Sequence, residues 1–254
     1  MKTHIAVLFT ITALLAGSAN GVTYFNDGGR HIVDYSINDE VWVDYESPWA
    51  QTHLELWDGG SISPYLKGFG HSLITILGGS IEKALETNDN SRADIYGGSI
   101  RSVVAQSNSQ VTISAISTIG KVSACNNSQV TISGGLVELQ ILAYDSGQLT
   151  IRGGEISSEI FTKNSSRLTF FGTDFAIDGF SIYPGEFAGD FALPGTDPYG
   201  RSCLTGNITG TLADGSTLDS TFYIYDNADI TFDIPEPAAF FLLALCTPLL
   251  RRRR

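Results

Sequence analysis

Two carboxylates are the first residues in this chain that could do chemistry together. Glu155 and Asp174 fall nineteen residues apart, and the chain repeats at that interval, so both occupy one outward position on neighbouring copies. At about one strand spacing, roughly 4.8 Å, such a pair suits a retaining glycosidase or a cation site. Read more simply, they are two solvated acids at the end of the array. The adjoining outward column runs Ser63, Glu82, Arg101, Gly120, Glu138 and Ser157, which sets Glu82 against Arg101 and pairs no two acids.

Other reactive types lack a reactive arrangement. His31, His53 and His71 have no metal-ligand spacing, and His71 stands at a turn position held elsewhere by Asn. Cys125 and Cys203 are compatible with a disulfide in an exported protein and equally with two free buried thiols, while Cys246 falls in the C-terminal tail. No nucleophile elbow, phosphate loop, zinc pattern or nucleotide fingerprint is present, and nothing calls for a cofactor or metal. An outward threonine column, Thr75, Thr112, Thr131, Thr150 and Thr169, is broken by Asp94. Ice-binding solenoids show two flat threonine columns. The companion column here mixes Leu77, Tyr96, Ser114, Ser133, Arg152 and Phe171, so ordinary β propensity explains the threonines.

The element that positions these residues is a repeat. A small-residue pair recurs at Gly59-Gly60, Gly78-Gly79, Gly97-Gly98, Gly134-Gly135 and Gly153-Gly154, with Ile116-Ser117 and Gly172-Thr173 as degenerate copies. Successive steps are 19 residues, with a single 18. Three residues into each copy stands an apolar side chain: Ile62, Ile81, Ile100, Ile119, Val137, Ile156 and Phe175. Four further on come Leu66, Leu85, Val104, Ile141 and Ile160. Each unit turns at an Asn-Ser or its equivalent: His71-Ser72, Asn90-Ser91, Asn108-Ser109, Asn127-Ser128, Asp145-Ser146 and Asn164-Ser165. Asn90, Asn108, Asn127 and Asn164 could stack as an amide column, although turn preference alone accounts for them.

After each turn apolar and polar residues alternate, as in Val111-Thr112-Ile113-Ser114 and Val130-Thr131-Ile132-Ser133. Period two with β-branched residues specifies strands with one buried face. The fold expected is therefore an all-β parallel β-helix, or solenoid, of about seven 19-residue rungs, right-handed by the bias of parallel crossovers. Ile76, Ile95, Ile113, Ile132, Ile151 and Phe170 form its inward column. Residues 59–175 make the solenoid, 22–58 an N-terminal cap, and 176–234 a C-terminal β cap and loop region containing the Gly/Pro/Asp-rich stretch from Tyr183 to Ser202.

The two ends read as addresses. Residues 1–21 have the form of a signal peptide: Lys2, an apolar run from Ile5 to Ala16, then Gly17-Ser18-Ala19. At the other end, in 235–254, Pro235-Glu236-Pro237 precedes thirteen mostly apolar residues and then Arg251, Arg252, Arg253 and Arg254. Thirteen residues at about 1.5 Å each fall short of a hydrocarbon core of about 30 Å, and the arginines favour the cytoplasmic side. This order resembles the PEP-CTERM sorting signal of bacterial exported proteins. The resemblance implies a transient membrane anchor, recognition by an exosortase-like membrane protease, and a link to extracellular polysaccharide.

The chain carries 15 basic and 27 acidic residues. Lys2, the four terminal arginines and Glu236 belong to the end segments, leaving 10 basic and 26 acidic residues between them. So acidic a body repels phosphate backbones, which excludes nucleic acid as a partner. The function expected is an exported, non-catalytic structural or adhesive protein of the cell surface or extracellular matrix. The alternatives are a carbohydrate-active β-helix enzyme, either polysaccharide lyase or glycoside hydrolase, and an ice- or cation-binding solenoid.

Overall fold

The computed structural model describes residues 21–46, 51–114 and 116–234. The leader expected over 1–21, all but Gly21, and the sorting residues Pro235, Glu236, Pro237 and Arg251 to Arg254 lie outside the described residues. Among those described, no helix is long and apolar enough to cross a membrane.

The chain winds into a parallel β-solenoid of about eight turns with three faces. On the first face Leu73–Ile76, Arg92–Ile95 and Gln110–Ile113 stack in parallel, with Ile76, Ile95, Ile113, Ile132, Ile151 and Phe170 in one register column. All six are fully buried. Alternation is the cause: every second side chain of a strand points the same way, so Ile and Val at those positions meet copies of themselves one turn away. Each contributes about 1.5–3 kcal/mol by leaving water. The second face carries the inward column Leu66, Leu85, Val103, Val122, Ile141 and Ile160. Val103 takes the place expected of Val104, because Ile100 and Val103 are three residues apart where Ile81 and Leu85, on which they stack, are four. The narrow third face presents Ile62, Ile81, Ile100, Ile119, Val137 and Ile156 to the same core.

Between the first and third faces the chain turns on the glycine pairs. Gly79 has φ +74° and a Cβ there would lie 2.4 Å from Gly60 O, so a side chain is excluded by both conformation and contact. Between the second and first faces the turn places one residue per rung in the left-handed region: Gln51, Gly70, Asp89, Ser107, Asn126, Asp145, Asn164 and Asp226. This column shows that the expected turn register slips in the last two rungs. Gln129 opposes Gln148, and Gln148 opposes Arg167, so Asn127-Ser128 stacks on Ser146-Gly147 and Ser165-Ser166. Asn164 consequently belongs over Asp145, to which its amide nitrogen donates at 2.7 Å, and not in a column with Asn127.

In five turns the buried member is a serine, Ser72, Ser91, Ser109, Ser128 or Ser166, with Gly147 in its place in one rung, while Asn90, Asn108 and Asn127 are exposed. Ser128 Oγ donates to Ala105 O at 3.0 Å and accepts from Cys125 N–H at 2.9 Å. Ser109 and Ser166 repeat both contacts in their own rungs. A hydroxyl can donate and accept at once, which is what this buried corner of backbone needs.

The stack extends beyond both limits read from the glycine pairs. Val22–Phe25 lies parallel to Glu40–Val43, and Arg30–Val33 to His53–Leu56, so the residues expected as an N-terminal cap are solenoid turns. At the other end the chain leaves the stack at Gly172, forms antiparallel pairs with Ser202–Leu212, and returns as Thr217–Ile224 and Asp229–Asp233. These last strands resume parallel pairing, Ile160 opposite Phe222 and Leu168 opposite Ile230. Residues 178–216 are thus an insertion within the final turn.

Candidate functional site

The register separates the two carboxylates proposed as a pair. Ile156 opposes Leu218, which puts Thr217 next to Glu155, whereas Asp174 lies where its strand has turned away to pair with Ser202–Leu212. Asp174 has φ 57° and accepts a hydrogen bond from Thr173 Oγ1 at 3.0 Å. Glu155 instead borders an open depression of about 450 Å³ shared with Glu159 and Asp219. Among the described residues no three His, Cys, Asp or Glu side chains converge as a metal site. Glu82 accepts from the Ser63 hydroxyl of the rung below.

The first face holds ion pairs in the threonine column. Glu55 stands opposite Thr75 and is buried. The Arg30 guanidinium binds it through Nε at 2.6 Å and Nη2 at 2.8 Å. That contact holds the carboxyl at about 2 against burial, with the Trp57 indole N–H donating at 2.9 Å. Asp94, in the same column, is clasped by Arg92 at 3.0 Å. His53 Nε2 lies 3.0 Å from Thr75 Oγ1, and His31 Nε2 lies 2.7 Å from Asp27 Oδ1. Beside the column, Arg152 lies 3.7 Å from the Phe171 ring centroid, so the neighbouring surface is not a second threonine array.

A site that sequence reasoning missed lies where the insertion meets the second face. Outward positions of that face carry Leu142, Phe161 and Tyr223, one above another, and all three are buried as a separate apolar cluster with Tyr144, Cys203 and Tyr225 against it. Phe161 and Tyr223 stack at 4.8 Å with planes 23° apart. Cys203 of Ser202–Leu212 packs against this cluster, and Leu193–Thr196 pairs with that strand as a hairpin. Its tip is built on Asp197, whose side chain has no exposure. Burial alone would raise the Asp197 pKa. The Tyr225 hydroxyl at 2.5 Å, the Arg201 amide at 2.8 Å and guanidinium at 2.6 Å, and the Tyr199 amide at 2.9 Å outweigh it and hold the carboxyl at about 2. Burial and donation to Asp197 in turn push the Tyr225 phenol up.

Arg201 is thereby fixed with its guanidinium 5.2 Å from both the Tyr199 and Tyr225 ring centroids, within cation–π range. In front of it opens a groove of about 360 Å³. Leu142, Tyr144 and Phe161 line it as apolar surface, and Lys121, Gln140, Tyr199 and Arg201 as its polar sides. Such a surface can stack a flat apolar ligand face while its polar sides hydrogen-bond the ligand edge. The signal in the sequence was loss of alternation: Ile141-Leu142, Ile160-Phe161 and Phe222-Tyr223 are adjacent apolar residues, so both strand faces there need cover.

Cys125 and Cys203, the cysteines among the described residues, border this region as free thiols. Burial raises the pKa of each, with Asp145 adding to it at Cys125 and Asp197 at Cys203. No protein-family model, curated protein or solved structure matches the chain.

Proposed function

We propose that the protein is an exported, non-catalytic rod of the cell surface or extracellular matrix, structural or adhesive in role, sorted through Pro235 to Arg254. The observation that carries this reading is that the Arg201 groove has no carboxylate among its lining residues, and that the acid behind it, Asp197, is fully engaged. Asp197 is held ionised by four groups, so it is spent on fixing the hairpin tip and has no proton to give near neutral pH. Glu155 and Asp174 do not occupy stacked positions, so the register does not supply the close carboxyl pair, about 5–5.5 Å, that a retaining glycosidase uses. Exosortase-like processing would release the rod from a transient membrane anchor, leaving polysaccharide as the neighbouring polymer.

The test is a turnover screen of the purified rod against bacterial and algal polysaccharides, reading reducing ends and unsaturated-product absorbance. No product is expected. Turnover abolished by Glu155→Gln or Asp174→Asn would overturn the reading in favour of a carbohydrate-active enzyme. For sorting, mass spectrometry of the surface protein should find no Arg251 to Arg254, and an intact arginine end would refute processing.

A further inference from the structure

The second face differs from the rest of the rod in charge and in aromatic content. Its outward column runs Tyr24, Trp42, Lys67, Glu86, Val104, Ser123, Leu142, Phe161 and Tyr223. Aromatic rings gather at both ends. At the N-terminal end Trp42 packs 4.4 Å from Tyr45 and 5.7 Å from Tyr24, both of which are about half exposed. At the other end stand Tyr144 and Tyr199, the latter 68% exposed at the groove mouth. Trp42 and Phe161 are six rungs apart, about 29 Å at one strand spacing per rung.

Every lysine after Lys2 lies on or beside this face. Lys67 and Lys121 stand in its strands, Lys83 directly precedes Ala84–Thr87, and Lys163 directly follows Glu159–Thr162. Lys67 is shared between Glu40 at 3.4 Å and Glu86 at 3.7 Å and lies over the Trp42 and Tyr65 rings. Lys83 lies over Tyr65 from the other side. Among the described residues neither Lys121 nor Lys163 is in an ion pair. The acids of this face are engaged, Glu40 and Glu86 with Lys67 and Glu159 with the Tyr223 hydroxyl. In a body with 26 acidic against 10 basic residues, Lys121 in the groove lining and Lys163 just past Thr162, both outside any ion pair, single this face out for an anion.

We propose that this face is the adhesive surface of the rod and that its ligand is a linear acidic polysaccharide lying along the rod axis. The proposal rests on the non-catalytic reading above and adds the surface and the ligand class to it. Tyr199 and Tyr144 offer aromatic planes to the apolar C–H faces of sugar rings, and Gln140 offers an amide to their hydroxyls. Lys121 and Lys163 meet the carboxylates, and the Tyr24, Trp42 and Tyr45 cluster gives a second foothold several sugars away. Two footholds on one chain raise the effective concentration of the second contact once the first is made. Single-stranded DNA, whose bases could stack on the same rings, is the competing polyanion in the test below.

The experiment is calorimetric titration of the full chain with polygalacturonate oligomers, a neutral β-glucan oligomer and single-stranded DNA, at low and high salt. Polygalacturonate should bind, more weakly at high salt, and the other two should not. Tyr199→Ala and the Lys121→Gln, Lys163→Gln pair should each weaken binding at least about tenfold, the loss of one anchoring contact. Thr131→Ala, on the first face, should leave binding unchanged. Circular dichroism checks that each variant is folded, which is expected because Tyr199 and Lys163 are exposed and Lys121 and Thr131 are outward and half-buried. Equal affinity for the neutral glucan, tighter binding of DNA, indifference to both groove variants, or no saccharide binding would each overturn the proposal. Product release from bound polygalacturonate would instead sink the non-catalytic reading and leave the binding face in place.

Discussion

Replacing Ile132 by Asp tests the inward register at its middle. Ile132 is fully buried between Ile113 and Ile151. Loss of the side chain alone should cost about 2–5 kcal/mol, as large-to-small core changes do. The carboxyl that replaces it has no partner in an all-apolar column. If its pKa rises by about three units to keep it neutral, that adds roughly 4 kcal/mol at pH 7. The sum is comparable to the whole stability of a typical domain, about 5–15 kcal/mol. Asp at the neighbouring outward Thr131, half-buried between Thr112 and Thr150, should cost about 1 kcal/mol or less. Urea denaturation followed by far-UV circular dichroism measures both, with Ile132→Ala as a milder variant that stays folded. The pH dependence gives a second check. A carboxyl whose folded pKa is raised imposes its full penalty above that value, and the penalty disappears below the unfolded pKa of about 4. The gap between Ile132→Asp and Thr131→Asp should therefore narrow from pH 7 to pH 4. Equal losses at the two positions, or a gap independent of pH, would refute the register.

The turn serines and asparagines should separate in the same assay. Ser109→Ala with Ser166→Ala, three rungs apart and so nearly additive, should cost about 2 kcal/mol together, while Asn108→Ala with Asn127→Ala should stay within about 1 kcal/mol. Asp197 and Glu55 both titrate at about 2, below their unfolded values. The stability they contribute is fully present above the unfolded pKa near 4 and is lost as pH falls through 2. Thermal melts should therefore drop between pH 4.5 and 2, and Asp197→Asn or Glu55→Gln should lower stability at pH 7 and flatten that drop. An unchanged profile in both variants would refute the assignment.

The repeat was legible because one rung constrains the next. A residue at Ile113 must suit Ile95 and Ile132, so the same type returns at nearly the same interval and the strands can be read directly. What escaped is whatever breaks that interval. Between Arg30 and His53 the step is 23 residues, and between Val41 and Leu66 it is 25, so the first turns do not fall in a nineteen-residue frame although their strands stack like the others. At the far end Leu168 meets Ile230 across 62 residues. The turn serines were visible as a type but not in their role, because an Asn-Ser pair does not say which side chain points inward. The groove depends on Asp197 meeting Tyr225, a contact between an insertion and a later turn that no periodicity encodes.

The insertion also closes the stack, and that role can be tested apart from ligand binding. Thr217–Ile224 is paired on one side with the preceding turns and on the other, antiparallel, with Ser202–Leu212. Without the second partner its edge would be open, and open strand edges invite pairing with other chains. Ser202–Leu212 is central, since Thr209 faces Ala176 on one neighbour and Asp219 on the other. Proline at Thr209 removes a ladder donor and should loosen this strand, uncovering Leu142, Phe161 and Tyr223 beside the released edge. Proline at Leu193 starts an edge strand that pairs only with Ser202–Leu212, a position where proline is tolerated. Light scattering at 37 °C should show Thr209→Pro aggregating while Leu193→Pro stays monodisperse, and dye binding to exposed apolar surface should rise in the first alone. Equal behaviour of the two variants would mean that the parallel stack ends stably without its antiparallel cover, and that the insertion serves the groove only.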